Sequence, residues 1–180
     1  MKLPACTLAA LLAPAALAHQ PQYNSGSGTR AAAYVIAQPR VSKVITAQGR
    51  AGTQDWYALT TPAAFPLDAT VFVGARCDRA YQPQLWLVGP GLGSPVPRPT
   101  FLPDGLGAVR VTGPFTPYSG HGVTARKGPT LARTLGAGTH YLVVDHGASG
   151  GWYFVSLGGS EERGGTAEGR TALGRFGACG

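Results

Sequence analysis

The sequence predicts an all-β fold: a β-sandwich or jelly roll of about eight short, mainly antiparallel strands. Three observations carry this. Gly 27 and Pro 15 fill nearly a quarter of the 180 residues. Gly costs about 1 and Pro about 3 kcal/mol in a helix interior, so a mostly helical chain is excluded. Short runs rich in Val, Tyr, Phe, Trp and Thr recur between Gly- and Pro-bearing breakers. No window holds 3.6-residue apolar spacing over three turns, so any helix beyond the first segment is expected to stay within about two turns. Hydrophobic residues at 44% and charged residues at 13% argue against a disordered charged chain.

Residues 1–18 (MKLPACTLAALLAPAALA) read as an export signal. Lys2 supplies the positive start, Leu8–Leu17 the apolar run, and Ala16-Leu17-Ala18 the small residues that a signal peptidase reads. The run is shorter than the roughly 20 residues of a transmembrane helix. Cleavage after Ala18 leaves an exported chain with no transmembrane anchor, beginning at His19. Residues 19–33 are polar and Gly/Ser-rich and are expected to be a flexible lead.

The sandwich is expected over residues 34–160. Strands are read near Tyr34–Ala37, Lys43–Ala47, Asp55–Thr60, Thr70–Gly74, Gln84–Val88, Ala108–Thr112, Thr130–Leu135, His140–Asp145 and Trp152–Leu157. Alternation puts Tyr57 and Leu59 on one face, and Tyr153, Val155 and Leu157 on one face. Tyr141-Leu142-Val143-Val144 is apolar on both, as a central strand would be. The inward set is then Tyr57, Leu59, Leu85, Leu87, Leu142, Val144, Tyr153 and Val155. The Pro-rich stretch from Gly89 to Pro103 cannot sit in a central strand and reads as a long surface loop. Residues 161–180 are small, charged and Gly-rich, and are expected to be a flexible tail.

Asp55-Trp56-Tyr57-Ala58-Leu59, Gln84-Leu85-Trp86-Leu87-Val88-Gly89-Pro90, Gly138-Thr139-His140-Tyr141-Leu142-Val143-Val144 and Gly151-Trp152-Tyr153-Phe154-Val155 follow one another in this order. Together they resemble the bacterial pre-peptidase C-terminal domain, over roughly Lys43–Gly158. The resemblance implies a secreted β-sandwich found beside exported hydrolases. This chain departs from that pattern by a long stretch from Gly89 to Thr130.

Cysteine usage fits export. Cys6 leaves with the signal, and Cys77 and Cys179 remain as a candidate disulfide, with two free thiols as the alternative. The chemistry is sparse otherwise. Asp55 reads as a turn acceptor at a strand start, with calcium ligation by Asp55 or Asp145 as the alternative. No acids form a recognisable catalytic pair. Ser119 and His121, or Asp145 and His146, lack the surroundings of a nucleophile elbow. No phosphate-binding glycine loop opens a helix. The net charge of +7 comes from scattered Arg and Lys with no aromatic-interleaved stripe, so no nucleic acid partner is expected.

Two functional readings follow. The first is a non-catalytic secreted module binding a glycan, a cell-surface polymer or a protein partner. Trp56 and Trp152 would lie on the outer face, with Arg110, Arg126 and Lys127 beside them. The second is a mononuclear copper protein. An N-terminal His19 would offer its α-amine and imidazole, and His121, His140 or His146 would complete a nitrogen site suited to Cu(II). Lytic polysaccharide monooxygenases hold copper in this way, and the chain is similar to them in this respect only.

Overall fold

The computed structural model describes residues 19–77 and 79–179, so the expected export signal lies outside the described residues. In chain order it contains β1 (Gln20–Tyr23), β2 (Tyr34–Val35), β3 (Lys43–Gly49), β4 (Gln54–Thr61), β5 (Phe65–Gly74), β6 (Gln84–Gly89), β7 (Gly107–Arg110), β8 (Thr116–Gly120), β9 (Val123–Leu135), β10 (Gly138–Asp145), β11 (Gly151–Leu157) and α1 (Ala167–Ala178). The strands form two sheets, ordered β1-β3-β11-β5-β9-β8 and β2-β4-β10-β6-β7. Their pairings are antiparallel except β1 with β3 and β2 with β4. The fold is an all-β sandwich, as the alternation predicts, with more strands than the eight expected.

The core is built by period-2 alternation. Val155 sits between Ile45 and Val71 across one sheet, and Leu142 between Tyr57 and Leu87 across the other. All eight residues expected to face inward are buried and belong to one cluster between the sheets. Each fully buried Leu or Val of this kind contributes about 1.5–3 kcal/mol of transfer free energy.

Three departures from the sequence reading have physical causes. First, the lead is not free of structure. Its residues 20–23 are β1, which adds to β3 in parallel, and Thr166 N–H bonds the Pro21 carbonyl at 2.9 Å from the other side.

Second, the tail holds α1, a three-turn helix longer than the two-turn limit expected. Thr166 caps it, accepting from Gly169 N–H at 2.9 Å, with Glu168 in its first turn and Arg175 in its last. Ala172 and Phe176 form its buried face, four residues apart. Gly169 is required by packing rather than by flexibility, because a Cβ there would lie 2.3 Å from the Pro21 carbonyl oxygen. Tertiary packing thus overrides the poor helix propensity of its glycines.

Third, Trp56 is not on a solvent face. It is only 3% exposed and packs with Trp86, Val88, Leu102 and Val143 outside the sheet β2-β4-β10-β6-β7. The Pro-rich loop folds back over this face, and Phe101 meets both indoles edge-on. Arg98 holds the loop closed by donating to the Leu102 and Pro103 carbonyls at 3.3 and 2.6 Å.

Candidate functional site

Two groups of chemically capable side chains emerge. The first lies inside the sandwich. Asp55 Oδ2 accepts from the Tyr153 hydroxyl at 2.6 Å and lies 3.0 Å from His146 Nε2. His146 Nδ1 is 2.7 Å from the Tyr81 hydroxyl, and the Tyr153 and Tyr57 hydroxyls are 2.6 Å apart. Burial pushes the Asp55 carboxyl up, but hydrogen bonds from His146 and Tyr153, the His146 charge and the Ser27 backbone outweigh it. The carboxyl is held below its ordinary value. Burial drives the Tyr57 and Tyr153 phenols above theirs, so both remain protonated donors.

This chain of Asp, His and Tyr has the members of a proton relay. Its tyrosines and His146 are almost completely buried, and Asp55 borders a pocket of about 310 Å³ lined also by Asn24, Arg50 and Gln54. The network ties strands of both sheets together. Asp55 therefore accepts from side chains across the core, where a local turn role was expected. Asp145 instead accepts from Gln54 Nε2 at 3.1 Å and from Gly147 N–H at 3.3 Å.

The second group lies outside the sheet β1-β3-β11-β5-β9-β8. His19 immediately precedes β1, which the Gln20 N–H to Ser42 carbonyl bond of 2.9 Å aligns on β3. His121 sits at the tip of the β8–β9 hairpin, where Gly120 pairs with Val123. His121 and Gly122 are the two turn residues, at φ 49° and 76°. This mirror-image turn suits the twist of a two-residue hairpin. The two imidazole rings, 102 positions apart in sequence, meet edge to face with centroids 5.1 Å apart.

His19 is half-buried and its Nδ1 contacts the Ser42 hydroxyl. Burial lowers its pKa, the neighbouring His121 lowers it further, and Glu161 acts in the opposite sense. Lowering favours the neutral imidazole, the form that accepts hydrogen bonds and ligates metals. Beneath the pair is a cavity of about 230 Å³ walled by Val44, Phe72, Tyr118, Val123, Phe154 and Leu173. Past Phe72 and Ser156 it adjoins a broader groove of about 630 Å³ that reaches Arg40, Asp68 and Lys127.

The other residues expected to bind do not join this site. His140 is buried on β10, where burial lowers its pKa, a Gly138 backbone bond acting the other way; its Nδ1 has no hydrogen-bond partner among the described residues. His146 belongs to the interior network. Of the four histidines considered for metal, the fold brings together His19 and His121 alone. Among the described residues no three His, Cys, Asp or Glu side chains gather closely enough to hold an ion, so a site here needs a donor beyond side chains.

Trp152 is half-buried and packs against the apolar cluster around Phe154. Arg110 lies over Trp86 at 5.5 Å and bonds Gln84 at 3.2 Å. Arg126 donates to the Arg79 and Tyr81 carbonyls at 2.9 and 3.1 Å, a structural assignment. Lys127 lines the broad groove beside the histidine pair, and Arg110, which is exposed, lines a separate pocket with Gln84, Phe115 and Pro129. The outer-face placement of Trp56 is therefore corrected, since Trp56 is interior.

Sequence reasoning missed the walls of the cavity. Phe72 and Phe154 stack at 4.6 Å on the outer sheet face, a face that simple alternation assigns to water. The available signal was that Phe154 and Phe72 each stand in runs apolar on both faces. Cys77 and Cys179 form a disulfide that fastens the end of α1 near Gly74. No protein-family model matches the chain, and no curated protein matches it.

Proposed function

We propose that this chain is an exported, non-catalytic β-sandwich protein that binds one copper(II) ion at its processed N-terminus. The observation that carries this is the meeting of the His19 and His121 rings at 5.1 Å. Cleavage after Ala18 would free the His19 α-amine, with a pKa near 8. Amine and Nδ1 of one residue can chelate a single ion, exchanging the Ser42 hydroxyl for it, and His121 adds a second imidazole. A set of nitrogen donors favours Cu(II) over the other divalent first-row ions. The pairing of β1 with β3 and the clamp of α1 hold His19 beside the hairpin.

The test compares two forms of the purified protein, one beginning at His19 and one with an additional Ala before it. The His19 form is expected to bind one equivalent of Cu(II), and the extended form at least tenfold more weakly. Equal binding by both, or binding by neither, contradicts the proposal.

A second reading, a module for an acidic glycan, keeps support from one feature. Arg40 and Lys127 line the broad groove that adjoins the histidine site, although Asp68 lies there too. Retention on an acidic glycan matrix, lost on raising salt and in Lys127→Ala, supports it; no retention at low salt overturns it.

A further inference from the structure

The outer face of the sheet β1-β3-β11-β5-β9-β8 is unusual for a sandwich. Beside the polar Thr70 and Ser156 it presents Val44, Phe72 and Phe154, roofed by α1 on one side and the β8–β9 hairpin on the other. Protein interiors close such space, since unfilled volume forfeits dispersion contacts. Here about 230 Å³ remains open. An apolar cavity of roughly 150 Å³ is enough to take benzene. The walls are aromatic: Phe72 stacks on Phe154, and Tyr118 stands edge-on to Phe72 at 5.0 Å. Such walls suit another ring in offset or edge-to-face contact. Polar groups converge at the His19 and His121 imidazoles at the mouth.

We propose that this cavity binds a small phenolic compound, with one aromatic ring between Phe72, Phe154 and Leu173 and its hydroxyl at the His19–His121 pair. The inference builds on the imidazole pair of the copper reading but requires no metal, because a neutral imidazole accepts an O–H hydrogen bond. The mostly apolar lining, in which Ser156 is the one polar wall residue besides the two imidazoles and the Tyr118 hydroxyl, disfavours sugars and free amino acids, most of whose polar groups would lack partners there.

The experiment is calorimetric titration of the metal-free protein beginning at His19 with 4-methylphenol and, separately, with toluene. Saturable 1:1 binding of 4-methylphenol is expected, with toluene on the order of tenfold weaker. Leu173→Trp, which fills the cavity from α1, should abolish binding, and Val123→Trp, which fills it from the hairpin, should do the same if the first variant does not fold. His121→Ala should bring 4-methylphenol down to the toluene level. A silent titration with 4-methylphenol overturns the proposal, as does binding unchanged in the folded cavity-filling variant. Equal affinity for the two probes overturns the role given to the imidazoles. Phenol binding without copper binding sinks only the metal reading, and copper binding without phenol binding sinks only this one.

Discussion

Tyr57 and Tyr153 stand on opposite sheets and meet through their hydroxyls at 2.6 Å in the centre of the sandwich. Both rings are fully buried, and Tyr153 passes the contact on to Asp55. The core is thereby fastened by a polar seam whose members satisfy one another. Tyr153→Phe removes a donor from a buried carboxylate and a partner from Tyr57. It is expected to lower unfolding free energy by about 1–3 kcal/mol, read by urea denaturation. An unchanged midpoint would show that the seam is not under load.

The same seam predicts an acid limb of stability. The Asp55 carboxyl is held below its ordinary value in the folded protein, so the unfolded chain binds its proton first as pH falls. The stabilisation is complete above the unfolded carboxyl value, about 3.9, and is lost as pH drops through the lower folded value. His146, Tyr153 and Tyr57 surround the group, and Asp55→Asn should flatten the slope of stability against pH below about 4. A wild-type slope in the variant would assign the acid limb to other carboxylates.

Trp56 should behave as a core residue. Trp56→Ala is expected to cost about 3–5 kcal/mol, measured by denaturant titration, because it empties the space beneath Phe101 and Leu102. Val35, 73% exposed on the short edge strand β2, is the control, and Val35→Ala should stay within about 0.5 kcal/mol. Similar effects for both would mean that the Pro-rich loop does not cover the sheet.

These residues show where the sequence was legible. Tyr57, Leu142 and Val155 lie in strands whose alternation and turn residues agree, so local pattern and global fold coincide. Trp56 shared that pattern and was still misplaced. Whether the second face of a sheet meets water depends on where a distant loop folds, and strand periodicity does not encode this. The helix α1 was hidden for a related reason: its glycines oppose helix formation locally, and the surface that stabilises it belongs to β1 and β3. Of the site, His19 was legible through the chemistry of a chain start. His121 was one of three candidates, and only the hairpin turn and the β9 pairing selected it.

The disulfide connects these parts. Cys77–Cys179 anchors the far end of α1, which in turn covers β1. Closing a loop of about 100 residues is worth up to about 4.7 kcal/mol in the chain-entropy view. The double variant Cys77→Ala/Cys179→Ala is expected to melt lower and to exchange the Asn24 amide, bonded to the Thr46 carbonyl at 2.9 Å, faster than wild type. Wild-type exchange at Asn24 would show that β1 is held without the clamp.

The central claim is that His19 and His121 form one binding site. Its most direct test is pulsed electron paramagnetic resonance of the protein beginning at His19, loaded with one equivalent of Cu(II). The account predicts coupling to the α-amine nitrogen and to imidazole nitrogens from two residues, with one imidazole contribution lost in His121→Ala. A spectrum identical in wild type and His121→Ala would contradict it.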